Sequence, residues 1–562
     1  MKTQKLTYIS ILSVITFSAF AQKGGIGNEE IVITKERNVV LPQANRVYEK
    51  IPPVQNPTQD REMKYNFVER KPTGIEEVKF NPNVIPPEGG KKNEVEKFNN
   101  YIRLGAGNFG RLFGETFLNT NQEGSLVLGL HALHNSTSKG PVDAENSATR
   151  NNLVALNGKY LTPKFAIKAD GSWEHRNMFF YGYGGEPSVD FDRENYRQKF
   201  NILKFGVGFE NITPQPRVDY ALKTNIKTIK DNYEADELEW ATNFNASFPI
   251  IGEKFVALVN ADAFMTQRSD LNISGNRNLF RVHPSFKVNL NRFGAEIGYK
   301  ALSEFDSFNK VERSKGFPTI ELTYKMPNVV YFFAGMDGDI IRNTLGSYIE
   351  ENPFLAPEFN LLNTEKTREF YVGTKGDLGG GFSFNVRGAF GYYKNLYLFN
   401  NKNFLEVDDI QNGLAVSKFE VLYDSLKTEY FNISTQLNYS PVEMWRTYLR
   451  GEFFNYKTKT YQHAFYRPNF TGKWGNTLVV SEKLVANLDL FFIGSTYAQN
   501  LLTQKEYKIK PIWDLNAEFD YLFSKQFTAF VKLNNIIGQK YQRFLYYPNQ
   551  GLNFLVGINL SF

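Results

Sequence analysis

Cysteine is absent from the 562 residues. A disulfide framework is therefore excluded, and so is a lipid anchor on a cysteine that follows a signal peptide. Long apolar runs are missing as well, since no segment beyond the N-terminus approaches the roughly 20 apolar residues of a transmembrane helix. Amphipathic stretches with the helical period of 3.6 residues are nearly absent after residue 98. These absences argue against a disulfide-rich module, a helical membrane protein and a large helix-rich enzyme.

The sequence also has little of the chemistry that catalytic and metal sites use. Its five histidines are scattered, and it contains no Gly-x-Ser-x-Gly motif of the hydrolases. His131 and His134 are three residues apart, which puts them on opposite faces of a strand and argues against a shared metal ion. A net charge of +6 on a chain of this length gives no reason to expect nucleic-acid binding. We therefore expect neither an enzyme nor a protein that holds a metal or another cofactor.

Two acidic segments are the remaining candidates for a cation site. Residues 190–194 and 337–339 each carry several carboxylates and are predicted to lie on outer loops. Neither segment has the full ligand spacing of a calcium loop. Solvated loop charge is therefore the preferred interpretation.

Residues 1–21 have the features of a secretory signal peptide. Lys2 and Lys5 give the positive start, residues 6–20 are mostly apolar, and Ala19 and Ala21 form a small-x-small cleavage site. We therefore expect an exported chain that begins at residue 22.

Aromatic side chains and strict alternation are what the sequence has in abundance. Phe, Tyr and Trp make up 15% of the chain. In the last eleven residues, every second side chain is apolar: Leu552, Phe554, Val556, Ile558, Leu560 and Phe562. A period of two places such residues on one face of a strand. The same alternation recurs along most of the chain.

The opposite faces of these strands carry charges. Examples are Arg446, Arg450, Asp489, Asp514, Glu518 and Lys532. Charges are inexpensive in a water-filled interior and costly against lipid. The pattern therefore predicts an outer-membrane β-barrel with apolar residues outside and polar residues inside.

Residues 99–562 are predicted to form hairpins with alternately short and long connections. Short turns are predicted near residues 124, 163, 214, 252, 292, 327, 379, 440–441 and 524–526. Long connections are predicted near residues 134–148, 177–196, 228–235, 269–276, 303–317, 338–364, 400–427, 456–463, 495–509 and 538–550. This gives about 22 strands, of which the first two, at 101–107 and 111–119, have the weakest pattern; 20 is the alternative count. The expected fold is all-β, a large antiparallel transmembrane barrel, and an open sheet is excluded because lipid leaves edge groups unpaired.

Two stretches of the barrel resemble the TonB-dependent receptors, a family of outer-membrane transporters with 22-stranded barrels. Residues 352–358 (NPFLAPE), followed by 368–375 (REFYVGTK), are similar to the family's "NP-x-L-x-PE … YE-x-G-x-K" signature. Residues 531–541 (VKLNNIIGQKY) resemble its penultimate strand. The resemblance implies a transport function in the outer membrane of a Gram-negative bacterium.

The terminal strand matches the barrel-assembly signal that outer-membrane proteins share. Ile558, Leu560 and the C-terminal Phe562 carry this likeness. It implies that the barrel-assembly machinery is a partner of the chain, together with the lipid of the outer membrane.

A further resemblance lies near the mature N-terminus. Glu29, Glu30, Ile31, Val32, Ile33 and Thr34 resemble the family's TonB box. In the family, this segment is thought to add a strand to a periplasmic energy transducer. The β-branched residues favour an extended strand, and the alternative is an ordinary edge strand or tail. The resemblance implies a TonB-like energy transducer as a possible partner.

Residues 22–98 depart from the family pattern. The family has a folded plug of well over a hundred residues at this position, whereas this segment is short, charged and rich in proline. It is predicted to be an extended periplasmic segment, because it has too little periodic apolar pattern to fold. The plug is therefore expected to be missing.

A barrel of this size without a plug needs another way to close its lumen. The extracellular loops, the segment 22–98 or a partner protein could each supply it. The best loop candidates are 338–364 and 400–427, the first of which carries Ile340, Ile341, Phe354, Leu355, Leu361 and Leu362. The expected function is uptake of a solute. The alternative is a non-transporting scaffold subunit of an outer-membrane complex.

Overall fold

A computed structural model of the chain describes residues 100–120, 125–182, 192–213, 216–252, 254–271, 273–326, 330–356, 359–402, 416–499 and 505–562. Within these ranges, 22 strands form one antiparallel sheet. Eleven run from the short-turn end to the long-loop end: β1 (Tyr101–Gly107), β3 (Leu126–Thr137), β5 (Phe165–Phe179), β7 (Asp219–Asp231), β9 (Phe255–Asp270), β11 (Phe293–Asp306), β13 (Val330–Ile341), β15 (Phe382–Lys394), β19 (Trp445–Lys457), β21 (Leu484–Ile493) and β25 (Phe527–Asn534).

The other eleven strands run back: β2 (Arg111–Asn119), β4 (Thr149–Leu161), β6 (Arg197–Asn211), β8 (Asp236–Ile251), β10 (Ile273–Leu290), β12 (Val311–Lys325), β14 (Thr364–Gly379), β18 (Thr428–Val442), β20 (Phe470–Ser481), β24 (Ile512–Leu522) and β28 (Asn553–Ser561). Six further strands form three hairpins within the long connections: β16 (Leu396–Asn401) with β17 (Phe419–Asp424), β22 (Thr496–Gln499) with β23 (Glu506–Ile509), and β26 (Gln542–Phe544) with β27 (Tyr547–Pro548). The predicted number of barrel strands is confirmed, including the bounds of the first two.

The sheet closes on itself through its first and last strands. β1 pairs with β28 in a register that runs from Tyr101 opposite Ser561 to Gly107 opposite Leu555. The backbone groups of Asn100 and Phe562 extend this ladder, with hydrogen bonds of 3.1 and 3.0 Å in the two directions. Closure leaves no edge strand exposed to lipid, as an antiparallel membrane sheet requires.

The side chains alternate between the two faces as the sequence predicts. In the terminal segment, the six alternate apolar residues from Leu552 to Phe562 are each 41% to 48% exposed on the outer face. In β14, Phe370 and Val372 are exposed, whereas Glu369 and Tyr371, which alternate with them, are buried. Large apolar side chains on an outer surface are stable only against lipid, so the barrel is a transmembrane one.

Several strands extend further than the sequence predicts. The connections expected at 269–276 and 303–317 are wrong, because β9 continues to Asp270, β10 begins at Ile273 and β11 continues to Asp306. The 18-residue β10 spans about 60 Å, whereas the lipid-facing band of a barrel is about 25 Å tall. Beyond the lipid both faces meet water, so the ladder continues while the apolar alternation stops.

Among the described residues, a single α-helix lies in the connection between β13 and β14, and we number it α1 (Leu345–Glu351). No helix in the described part of the chain is long and apolar enough to cross a membrane.

Candidate functional site

The long connections fold inward at their end of the barrel and meet in one apolar cluster. We define the mouth cluster by ten aromatic side chains, each at most 5% exposed: Phe180, Tyr181, Tyr348, Phe354, Tyr397, Phe399, Phe419, Tyr466, Phe544 and Tyr547. They come from five different connections, those that follow β5, β13, β15, β19 and β25. Long loops of such barrels are extracellular, so the mouth cluster faces the outside.

Stacked and edge-on rings hold the centre of the mouth cluster together. The ring of Phe354 stacks on that of Tyr547 with centroids 3.8 Å apart, and Phe419 contacts Phe544 at 5.2 Å. The hydroxyl of Tyr547 donates to the backbone carbonyl of Ser417, which ties two connections together. Aromatic pairs in such geometries each contribute about 0.5–1.5 kcal/mol beyond their buried area.

The β16–β17 hairpin contributes the most completely buried part of the cluster. All six residues of β16 are buried, which shows that both of its faces are covered. Its two asparagines form hydrogen bonds, one to another connection and one within the hairpin's own connection. The side-chain oxygen of Asn400 accepts from the backbone N–H of Gln499 at 3.1 Å, and the amide of Asn401 donates to the hydroxyl of Ser417 at 2.6 Å.

Helix α1 is fixed to the barrel wall at its first turn. Thr344 and Ser347 form a reciprocal capping box. The carboxylate of Glu237, a buried residue near the start of β8, accepts from the backbone N–H groups of Leu345 and Gly346 at 2.9 and 3.2 Å. The loop that carries Phe354 is therefore anchored to the inner wall.

Beneath the mouth cluster, buried arginines join the wall to the same loop. Arg277 on β10 donates to the carboxylate of Asp306 at 2.9 Å, to the carbonyl of Asn343 at 2.7 Å and to the side chain of Asn363 at 2.9 Å. Arg268 on β9 donates to the carbonyl of Phe359 at 2.9 Å. These contacts hold the connection 342–363 across the inner face of the sheet.

A second layer of ion pairs lies further down the same wall. The Nζ of Lys300 is 3.0 Å from Asp337 and 3.1 Å from Asp339. Lys366 bridges Asp337 and Glu369, each at 3.2 Å, and Arg387 is 2.7 Å from Glu369. The predicted position of Asp337 and Asp339 on an outer loop is wrong, because β13 carries them inside, where these cations pair them.

The opposite wall carries the inward charges that the sequence predicted. Glu518 pairs with Arg103 and, at 3.6 Å, with Lys532. Asp489 lies 4.0 Å from Lys473. The prediction that Asp489, Glu518 and Lys532 point into the barrel is thus confirmed, and their charges are paired within the wall.

The segment 531–541 ties the last long connection to the wall. The side chain of Asn516 on β24 accepts from the backbone N–H of Asn535 at 3.0 Å. The Tyr541 hydroxyl donates to Asp514 at 2.7 Å. Asn535 has a positive φ of 51°, a conformation that asparagine tolerates better than most residues. The stretch that resembles the family's penultimate strand therefore forms a structural anchor here.

The other predicted site residues have different outcomes. The box-like residues 29–34 and the whole of 22–98 lie outside the described residues. Ile558 and Leu560 lie on the lipid-facing side of β28, and Phe562 follows its last residue, Ser561. Of the apolar residues predicted to fold inward, Phe354, Leu355 and Leu361 are confirmed members of the buried core around the mouth cluster.

The convergence of the loops was only partly predictable. Ile340 lies instead in a small separate core with Leu279, Leu302 and Phe317 on the wall. The contributions of the connections after β19 and β25 were missed, although the aromatic runs around Tyr466 and Phe544 were a signal for them. Among the described residues, no group of three or more metal-ligating side chains comes together.

No family model matches the sequence, and no curated protein matches it significantly. Solved structures do match the fold. The FrpB iron transporter of Neisseria meningitidis superposes with a TM-score of 0.63 at 9% identity, over 84% of this chain and 82% of that one. The siderophore receptor PirA of Acinetobacter baumannii gives a TM-score of 0.61 at 10% identity, over 82% and 80% of the two chains. The ferric-catecholate import receptor Fiu of E. coli K12 gives 0.60 at 10% identity, over 82% and 81%.

These structural neighbours are TonB-dependent receptors. Their closed 22-stranded barrel corresponds to the barrel of residues 101–561. The described part of this chain therefore has the fold of the TonB-dependent outer-membrane receptors.

Proposed function

We propose that this protein is a receptor-like barrel of the Gram-negative outer membrane that takes part in the uptake of a solute. The observation that carries the proposal is the inward fold of five extracellular connections over a closed 22-stranded barrel. Such an arrangement offers a buried, chemically varied surface at the only end of the lumen that faces the outside. The structural neighbours are named for iron, siderophores and ferric catecholates, which makes a small solute or chelate a reasonable cargo.

Uptake through the lumen is testable in lipid bilayers. We expect the purified full-length protein to be closed or weakly conducting at rest, because the mouth cluster is proposed to cover the lumen. Deletion of the loop core, residues 345–356, should open a large conductance, whereas deletion of the outer turn 108–110, between β1 and β2, should not. Uptake through the lumen is contradicted if the barrel stays sealed after the first deletion and if cells that lack the protein grow normally on limiting iron or carbon sources.

We further propose that residues 29–34 bind a TonB-like energy transducer by adding a strand to it. Ile31, Val32 and Ile33 have high strand propensity, and main-chain pairing of this kind tolerates no proline. Ile31→Pro or Val32→Pro should abolish capture of the transducer from native membranes. Val54→Pro is the matched control, because it lies in a proline-rich stretch of the same segment. Equal capture by all three variants removes the proposal.

We also propose that the N-terminal segment 22–98 lies in the periplasm as an extended segment. An epitope inserted near residue 60 should be cut by added protease only after the outer membrane is permeabilised. Cleavage in intact cells contradicts a periplasmic position.

We propose that Ile558, Leu560 and Phe562 also serve as the signal that the barrel-assembly machinery recognises. Deletion of Phe562 should reduce the membrane-inserted fraction and increase the degraded fraction, as judged by the heat-modifiable band of folded barrels. Phe523→Ala, which removes another exposed aromatic side chain next to a short turn, is the control. An unchanged inserted fraction after loss of Phe562 is evidence against the signal.

A scaffold subunit is the second candidate function. It is favoured by the neutralised inner wall, in which carboxylates such as Asp337, Asp339 and Glu369 already have cationic partners and offer little to a passing solute. In this case, affinity purification from native membranes should recover a stoichiometric envelope partner, and the partner should be lost when residues 22–98 are deleted. Recovery of the barrel alone, with measurable solute uptake, rejects the scaffold.

A further inference from the structure

Two arginines lie inside the mouth cluster, where charged groups are rare. Arg467 follows Tyr466 in the connection after β19, and Arg543 precedes Phe544 in the connection after β25. Each residue is only 5% exposed. Arginine is almost never buried to this degree unless its charge is compensated.

The orientation of Arg467 is fixed by the β16–β17 hairpin. Its Nε and Nη2 donate to the backbone carbonyl of Tyr397 at 3.2 and 2.8 Å. Its guanidinium lies 4.6 Å from the centroid of the Tyr397 ring and 5.9 Å from that of Tyr456. The remaining nitrogen, Nη1, is buried and has no hydrogen-bond partner among the described residues.

Arg543 has fewer partners still. Both its Nε and its Nη1 are buried and without a hydrogen-bond partner in the described part of the chain. The guanidinium lies 5.7 Å from the ring centroid of Phe544. Burial lowers the pKa of Arg543, which reports how poorly its charge is solvated.

The charges of the described residues compensate this pair only in part, and Arg543 less than Arg467. The carboxylate of Glu351, at the end of α1, stabilises the positive charge of both arginines. The two arginines repel each other. The Glu351 carboxylate also accepts a hydrogen bond from the Tyr397 hydroxyl. Among the described residues, one carboxylate therefore faces two buried guanidinium groups, and burial of a charge that is not fully paired is unfavourable.

We propose that Arg467 and Arg543 form a binding site for an anion, the carboxylate or phosphate group of a solute or lipid, enclosed in the mouth cluster. The fork of N–H groups on a guanidinium matches the two oxygens of such a group. Three unpartnered nitrogens from two side chains supply the donors, and one added negative charge balances the site. The aromatic surroundings exclude water and strengthen each contact. The site stands independently of whether the barrel transports.

The proposal is tested by direct binding to the full-length protein in detergent. Sodium phosphate and sodium acetate are titrated at constant ionic strength against sodium chloride, with thermal unfolding and calorimetry as readouts. We expect a saturable rise in Tm with at least one of the two anions, because a ligand that binds only the folded state stabilises it. Arg543→Met should weaken binding by about tenfold or more, and Arg543→Lys should weaken it less, since lysine keeps the charge but loses the fork.

Arg193→Met is the matched control, because Arg193 is a more exposed arginine on another extracellular connection. Its binding curve should equal that of the unaltered protein. Native mass spectrometry of the gently purified protein separates the two sources, since a lipid adds a large mass and a solute a small one. Should Arg467→Met fail to fold, the two Arg543 variants decide the question.

The proposal is overturned if neither anion gives a saturable shift, or if Arg543→Met and Arg193→Met respond alike. Either result shows that the two arginines do not form an anion-binding site.

Discussion

The carboxylate of Glu237, on the barrel wall, accepts a hydrogen bond of 2.9 Å from the backbone N–H of Leu345, the first residue of α1. A single buried side chain on β8 thus holds the start of a loop that is 108 residues away in sequence. The contact links the wall to the mouth cluster, because β8 is paired with β7 and β9 in the sheet and the loop above it carries Phe354 into the mouth cluster. Loss of this contact should therefore release the loop without opening the barrel.

Glu237→Gln should loosen α1 selectively. Glutamine has one acceptor oxygen where the carboxylate has two, so one of the two backbone N–H groups loses its partner at a cost of about 1–3 kcal/mol. We expect hydrogen–deuterium exchange of residues 345–351 to become at least several-fold faster. Glu312→Gln, at an exposed position on β12, is the control and should leave the same amides unchanged. Equal exchange rates in both variants would show that Glu237 does not anchor the helix.

Phe354→Ala should open the mouth cluster. The Phe354 side chain is 2% exposed, stacks on Tyr547 and meets Tyr181 edge-on with centroids 5.7 Å apart. Removal of such a ring costs about 3–5 kcal/mol. The loss should appear as faster protease cleavage within 345–356 and 541–548, while the barrel keeps its heat-modifiable migration because no ladder hydrogen bond changes.

Phe519→Ala separates this effect from a general loss of aromatic area. Phe519 is 38% exposed on the outer face of β24, so its removal affects lipid contact and not the loops. Loop cleavage should stay at the level of the unaltered protein. If both variants are cleaved alike, the mouth cluster does not hold the loops closed.

The barrel itself could be predicted from the sequence because lipid imposes a period of two. Val556 and Ile558 must face outward if Leu555 and Gly557 face inward, and this rule assigns both faces of every strand without any knowledge of its partner. Beyond the lipid both faces of a strand meet water, so the period of two no longer marks the strand. Arg313 and Lys315 on β12 were therefore assigned to a loop, although β12 continues through them.

The arrangement of the mouth could not be predicted in the same way. The contact between Arg268 and Phe359 joins residues 91 positions apart, and that between Tyr547 and Ser417 joins residues 130 apart. No local period indicates which loop meets which, because the loops pack through irregular backbone and individual side chains. Apolar residues such as Phe354 could be recognised as candidates for burial, but not their partners.

Acid should loosen the junction between the β16–β17 hairpin and the connection after β19. The buried carboxylate of Asp424 accepts from the backbone N–H groups of Lys459 and Thr460, both at 2.9 Å, and from the Thr428 hydroxyl. Burial opposes its ionisation, but the hydrogen bonds from Thr428, Thr460 and Lys459 prevail and lower its pKa below the ordinary value.

A carboxyl with a lowered pKa in the folded state stabilises the fold at pH values above its ordinary pKa of about 4. This contribution is lost as the pH falls through the lowered pKa of the folded state. Amide exchange at Lys459 and Thr460, corrected for the intrinsic rate, should therefore be constant from pH 7 to 5 and accelerate below pH 4. In Asp424→Asn, which cannot titrate, exchange should be faster throughout and show no such acceleration. An acid response in the asparagine variant assigns the effect to another group.

The ion pairs of the inner wall should behave as one coupled unit. Lys300 is 3% exposed and touches both Asp337 and Asp339, so Lys300→Met leaves the two carboxylates with one cation fewer and should cost about 3–5 kcal/mol. Urea unfolding of the barrel in lipid vesicles, followed by tryptophan fluorescence, measures this cost.

Asp339→Asn in the Lys300→Met background should recover part of that stability, because it removes a negative charge that has lost one of its two cationic partners among the described residues and keeps only Arg281, at 2.7 Å. The coupling energy between the two substitutions should be about 0.5–3 kcal/mol.

Lys230→Met, which breaks a largely exposed pair with Asp236, provides the scale for a surface ion pair and should cost no more than about 1 kcal/mol. Two results would mean that water inside the lumen screens these charges. In the first, the costs of Lys300→Met and Asp339→Asn simply add. In the second, Lys300→Met costs no more than Lys230→Met. The wall would then be a hydrated surface that a charged solute could pass, which is the physical difference between a transporting barrel and a sealed one.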